Sequence, residues 1–135
     1  MSVGRPPVER RILIVDDAEE ARSILAIALG TISGATVETT DNAEDALRSM
    51  SNVRADVLIT DVRMSGMSGL DLLTTLREHH RWPSCGALVI SGESDPELRQ
   101  RALACGAAAF FRKPISAGAV RKSVISLLEG RNGVD

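Results

Sequence analysis

Ile12-Leu13-Ile14-Val15-Asp16-Asp17 is a run of four apolar residues that stops abruptly at two carboxylates. The pattern recurs along the chain. Val57-Leu58-Ile59-Thr60 runs into Asp61, the run Ala87 to Ile90 ends in Ser91, and Ala108 to Phe111 is followed one residue later by Lys113-Pro114. Short apolar runs with polar bounds read as strands buried on both faces. If they are parallel, their C-terminal ends share one sheet edge, which is where open α/β sheets bind ligands. Three carboxylates, a hydroxyl and a lysine would then meet in one pocket.

Helical patterns fill the gaps between the runs. Apolar stripes occur at Ala21, Leu25, Ala28 and Leu29, at Ala43, Ala46, Leu47 and Met50, and at Leu70, Leu73 and Leu76. Leu98, Ala102 and Cys105 mark a fourth, and Val120, Val124, Leu127 and Leu128 a fifth. Asp41 or Asn42 is placed to cap the second helix and Ser68 the third. Asp95-Pro96 reads as the cap and first turn of the fourth, and Gly106 as the residue that ends it. Five strand–helix units in series predict an α/β fold, a doubly wound five-stranded parallel sheet with helices on both faces. Thr36-Val37-Glu38-Thr39-Thr40 is polar enough for an edge strand. The first, third, fourth and fifth runs read as buried on both faces. Residues 11–129 form the domain, and 1–10 and 130–135 read as tails.

A chain of 135 residues is one domain by length, with 44% apolar and 25% charged residues. Trp82, Phe110 and Phe111 are its only aromatic residues, so the core is aliphatic and stacking on nucleic-acid bases is disfavoured. A net charge of −2 gives no bulk affinity for nucleic acid or acidic membranes. No apolar run reaches membrane-span length, and the N-terminus lacks the apolar stretch of a signal peptide. A cytoplasmic protein without direct nucleic-acid or membrane contact is expected. Cys85 and Cys105 form no C-x-x-C pair and read as small buried or half-buried thiols in a reducing compartment. His79 and His80 point about 100° apart on a helix, a poor shared metal site, and read as its solvated end.

Asp16, Asp17 and Asp61 need compensation if they converge, because like charges about 4 Å apart repel by about 4 kcal/mol at intermediate dielectric. A divalent cation supplies it, and an all-oxygen set suits Mg²⁺, or Mn²⁺. A carboxylate beside such an ion can attack phosphorus to give an aspartyl phosphate. Lys113 and Ser91 would then stabilise charge on the transferred oxygens.

Taken together, Ile-Leu-Ile-Val-Asp16-Asp17, Asp61-Val-Arg-Met-Ser-Gly-Met-Ser-Gly-Leu, Val-Ile-Ser91-Gly and Lys113-Pro114 resemble the receiver domain of two-component response regulators, over roughly Arg11 to Glu129. The resemblance implies a flavodoxin-like sheet in the order 2-1-3-4-5. It implies that Asp61 accepts the phosphoryl group from a sensor histidine kinase or a histidine phosphotransfer protein. Asp16, Asp17, Asp61 and the backbone carbonyl of Arg63 would hold the metal. Lys113 would pair with Asp61, Ser91 would contact the phosphoryl group, and Phe110 would turn inward as Ser91 moves. Lys113-Pro114 would be cis. Three positions depart from the commonest pattern. Ser65 stands where a proline is usual, Phe110 lacks a tyrosine hydroxyl, and Ser91 lacks a threonine methyl.

Arg63 and Glu93 lie two residues beyond Asp61 and Ser91, and an ion pair between them would limit access of water to the phosphoryl group. The fourth helix, fifth strand and fifth helix would form the output surface. Arg99, Arg101, Arg112, Arg121 and Lys122 make it basic, suited to an acidic protein partner or a homodimer. A competing reading is a Mg²⁺-dependent phosphohydrolase with an aspartate nucleophile. Enzymes of the haloacid-dehalogenase type carry a second acid two residues later, where Ala18 and Arg63 stand here, which counts against turnover. A stand-alone receiver is expected, the alternative being a fragment of a DNA-binding or hybrid-kinase protein.

Overall fold

The apolar runs pair side by side as parallel strands in a computed structural model of the protein, which describes residues 9–130. The strands are β1 (Arg10–Val15), β2 (Ala35–Thr40), β3 (Val57–Asp61), β4 (Gly86–Ser91) and β5 (Ala109–Arg112). The helices are α1 (Glu19–Leu29), α2 (Ala43–Asn52), α3 (Gly69–Glu78), α4 (Leu98–Ala104) and α5 (Ala117–Leu128). The sheet order is β2-β1-β3-β4-β5, as the resemblance implies. Of the expected tails, residues 1–8 and 131–135 lie outside the described residues. Arg10 already belongs to β1, and Gly130 closes α5 by donating its N–H to the Leu127 carbonyl.

Strand alternation divides the core into two layers. Ile12, Ile14, Val57, Ile59, Leu88 and Ile90 face α1 and α5, where Leu25, Leu29, Val120, Val124 and Leu127 complete the cluster. Leu13, Val15, Leu58, Ala87, Val89 and Phe110 face α2, α3 and α4, with Ala46, Met50, Leu73, Leu76, Leu98 and Ala102. Asn42 caps α2 by accepting the Asp45 N–H, and Ser68 caps α3 by accepting the Asp71 N–H. Gly106 follows α4 with a φ of +106°, the left-handed conformation that ends a helix.

Two expectations need correction. β5 is not buried on both faces. It is an edge strand four residues long, and only Phe110 is fully inside. Phe110 belongs to one cluster while Ala109 and Phe111 pack partly buried against the other, so the run looks continuous although only one of its residues is buried. The fourth helix also starts later than Asp95-Pro96 implies. Asp95 accepts the Glu97 N–H on its side chain and the Leu98 N–H on its carbonyl, forming a turn ahead of α4. α4 itself opens at Glu97 with no side-chain cap. His79 and His80 are exposed at the end of α3, and both cysteines are half-buried thiols. No helix among the described residues is long and apolar enough to cross a membrane.

Register places the polar ends together. Val15 lies beside Thr60, so the chain leaving β1 at Asp16 emerges next to Asp61. Asp61 in turn lies beside Ile90, and Ser91 beside Arg112.

Candidate functional site

Asp16, Asp17 and Asp61 converge at the C-terminal edge of the sheet, with one carboxylate oxygen of each within 4.8 Å of the others. Asp16 and Asp61 are buried and Asp17 is exposed. Asp16 is held by the loop it begins: its Oδ1 accepts the Ala18 N–H at 2.9 Å, and its carbonyl accepts from Arg22 at 2.8 Å. Asp61 is 5% exposed, and its Oδ1 accepts the Val62 N–H at 2.9 Å. The first residue of α3 packs against its backbone. A Cβ on Gly69 would lie 1.9 Å from the Asp61 carbonyl oxygen, so only glycine lets α3 start so close to the strand end.

Lys113 reaches in from the loop after β5, where the Lys113-Pro114 peptide is cis. Its Nζ lies 3.0 Å from Asp16 Oδ2 and 3.4 Å from Asp61 Oδ2. The nearer contact is an ion pair without hydrogen-bond direction, which leaves Asp16 Oδ2 buried and lacking a hydrogen bond. A buried carboxylate oxygen in that condition is costly unless something else coordinates it. The Asp61 carboxyl is pushed up to about 6, chiefly by burial and then by the Asp16 charge, against the opposing pull of Lys113 and the Val62 N–H. Burial alone would push the Lys113 ammonium down, but the two carboxylates outweigh it and the net direction is up. One lysine is thus shared between two buried carboxylates, with a third alongside. An all-oxygen set short of positive charge fits a divalent cation such as Mg²⁺ or Mn²⁺.

Ser91, buried at the end of β4, uses its Oγ to accept the Glu93 N–H at 3.0 Å. Among the described residues its own hydroxyl proton meets no acceptor. Arg63 and Glu93 meet in a two-point ion pair: the guanidinium Nη2 donates to Oε1 at 2.9 Å and Nε donates to Oε2. The Arg63 hydrogen bond and charge hold the Glu93 carboxyl below its ordinary range. A cavity of about 330 Å³ adjoins this pair, with Val62, Met64, Leu70 and Leu98 among its lining residues, but it does not include the three carboxylates. Phe110 is 7% exposed and packs in the same cluster as Leu98 and Ala102 of α4, so its ring is already turned inward. Without a hydroxyl it has no polar end to hold in water.

Three contributors escaped the sequence reading. Thr60 donates its hydroxyl to the Asp61 carbonyl at 2.8 Å, Arg22 ties the β1–α1 turn, and Gly69 allows the close approach of α3. A glycine at the first position of a helix, where it is a poor former, was the one available signal.

Residues 12–125 match the response regulator receiver domain family. The chain is 28% identical to the chemotaxis protein CheY of Pseudomonas aeruginosa, over 91% of this chain and 99% of that protein. It is 30% identical to a cyclic di-GMP phosphodiesterase of Thermotoga maritima, over 89% of this chain but 31% of that protein. The chain spans less than half the length of several curated relatives it matches. Among solved structures, the receiver domain of the putative response regulator NarL from Mycobacterium tuberculosis superposes with a TM-score of 0.80 at 28% identity, covering 93% of this chain and 100% of that one. With its sheet order, its acidic edge and a family match over most of its length, this chain belongs to the response regulator receiver domains of two-component signal transduction.

Proposed function

We propose that the chain is a phosphorylation-dependent switch that accepts a phosphoryl group on Asp61 from a histidine kinase or histidine phosphotransfer protein. The observation that carries this reading is Asp61 itself: a buried carboxylate of raised basicity, in reach of Lys113 and beside two further carboxylates. With a carboxyl raised only to about 6, Asp61 is mostly ionised at neutral pH, the form that attacks phosphorus. In the transfer, an Asp61 carboxylate oxygen forms a bond to phosphorus as the phosphorus–nitrogen bond to the donor imidazole breaks. The departing imidazole takes up a proton. Asp16, Asp17, Asp61 and the Arg63 carbonyl would hold Mg²⁺ or Mn²⁺. When bound, the cation neutralises charge on the carboxylates and on the transferred oxygens. Lys113 then exchanges its contact with the Asp61 carboxylate for one with the phosphoryl group. Ser91 donates its free hydroxyl proton to a second phosphoryl oxygen.

The consequence of that last contact is mechanical. Ser91 Oγ holds the Glu93 N–H, so a shift of Ser91 draws the β4–α4 loop with it. Glu93 is paired with Arg63, and the pair limits the approach of hydrolytic water. Phe110 is already inside, so the signal passes by packing of α4 against its ring rather than by a swing from solvent. The α4–β5–α5 surface then meets a protein partner or a second copy of the chain. Labelling with acetyl phosphate tests the assignment. Asp61→Asn removes the acid-stable, base-labile protein phosphate while leaving the fold intact. Undiminished labelling in that variant overturns the choice of Asp61.

A further inference from the structure

We propose that Glu44 is a positioning residue for the phosphoacceptor loop, acting from the first turn of α2 on the backbone that carries Arg63. The inference rests on the reading that the Arg63 carbonyl helps to hold a divalent cation. The loop between β3 and α3, Val62 to Ser68, is fixed at its ends by its own elements. Val62 donates its N–H to the Ile90 carbonyl on β4 and accepts the Gly69 N–H at 2.8 Å, and Ser68 caps α3. The tip, Ser65-Gly66-Met67, has no such support from its sequence. It contains no proline to fix φ, and Gly66 sits at φ +81°, in the left-handed region. A glycine at a loop tip multiplies the conformations open to the peptide planes on either side.

Glu44 supplies the restraint from outside the loop. Its Oε2 accepts the Met67 N–H at 3.1 Å. The same carboxylate lies against the open side of Gly66, where an added Cβ would meet Oε2 at 2.9 Å and Oε1 at 3.4 Å. One side chain therefore contacts two consecutive residues of the tip. Its own base is rigid. Ala43 and Ala46 on either side are fully buried, and Asn42 closes the helix by accepting the Asp45 N–H at 2.7 Å. A backbone carbonyl can ligate a cation well only if its peptide plane is held, and Glu44 holds the loop three and four residues beyond that carbonyl, at Gly66 and Met67. Glu44 touches no reacting atom; it acts through the loop.

An acidic side chain could also favour a cation by charge alone, so the test separates the hydrogen bond from the charge. Mg²⁺ binding to the full chain is measured by titration calorimetry for the wild type, Glu44→Ala and Glu44→Gln, alongside amide exchange at Met67 and thermal unfolding. Partners bonded directly to a metal ligand are worth about 10–100-fold in affinity; Glu44 bonds the loop four residues beyond the Arg63 carbonyl, so Glu44→Ala is expected to weaken binding by less, about threefold. Met67 exchange should quicken in the same variant. Glu44→Gln keeps an oxygen that accepts the Met67 N–H and should stay near wild type in both. Equal weakening in the two variants would mean that charge and not position matters, and overturns the proposal. An unchanged Mg²⁺ affinity in Glu44→Ala, with or without a lower Tm, marks a merely structural contact and overturns it as well. If the wild type itself binds no Mg²⁺, the cation reading fails first and the proposal falls with it.

Discussion

Asp61 is an aspartate whose position makes ionisation difficult, and that difficulty is measurable. Its carboxyl is raised from an ordinary 3.8 to about 6, with burial first and the Asp16 charge second. Between those two values the native chain binds more protons than the unfolded chain. Stability contributed by this group is therefore complete below about pH 4, is lost as pH rises to about 6, and is flat beyond. Asp61→Asn removes the titration. In metal-free buffer the variant and the wild type should be similar near pH 4, and the variant should become progressively the more stable of the two as pH rises through about 6. Denaturant unfolding across pH 4–7.5 in the presence of a chelator measures the difference. A difference that stays constant with pH, or a wild type that is the more stable at pH 7, would contradict the burial argument. The acidic residues, Ser91 and Lys113 were legible in the sequence because each stands at or just beyond the end of an apolar run, and the end of a parallel strand is a known place in space. Glu44 was not legible. Its carboxylate reaches the loop only because α2 packs beside Met67, 23 residues later, and nothing local records that approach.

At the scale of elements, the loops after β3 and β4 are joined by the Arg63–Glu93 ion pair, which under the proposed function limits the approach of water to a phosphorylated Asp61. Both charges belong to loops rather than to the core, and exposed pairs contribute little to stability. Replacing both by alanine should leave Tm nearly unchanged but alter the lifetime of the aspartyl phosphate several-fold. A phosphate-loss time course on the purified double variant checks this, and a wild-type lifetime would reduce the pair to solvated loop charges. Helix and strand identities followed from periodicity, and two of the caps, Asn42 and Ser68, from residue type. Where the reading slipped, local chemistry had two uses. Asp95-Pro96 has the composition of a helix start, but the same residues make a turn, and the apolar contact that decides between them is Leu98 against the core. β5 looked like a doubly buried strand because Phe110 and Phe111 belong to opposite clusters, while its open flank is a property of sheet order and not of composition.

For the whole molecule, the proposed switch would run from the acidic edge to the α4–β5–α5 face through two contacts. Ser91 holds the Glu93 N–H, and Phe110 packs between the sheet and α4 on the strand next to Ser91. α4 is the element best placed to respond. It is seven residues long, buries Leu98 and Ala102, has no side-chain cap, and borders the cavity lined by Val62, Met64, Leu70 and Leu98. A helix attached so lightly, beside open space, can occupy two arrangements separated by little free energy. The α5 side of the output face is more firmly set, since Val120, Val124 and Leu127 all lie in the core and Ser116 caps the helix. Phosphorylation should therefore redistribute protection unevenly. With Mg²⁺ and beryllofluoride as a phosphoryl mimic, amide exchange should change in the β4–α4 loop and α4, from Ser91 to Cys105, and along β5. In α5 it should change at the exposed residues near Arg121 and Lys122 more than at the buried ones. Asp61→Asn, which cannot carry the mimic productively, should show none of these changes. Altered protection confined to Asp16, Asp17 and Asp61 would mean that Ser91 does not transmit the event, and the proposed output surface would have to be abandoned.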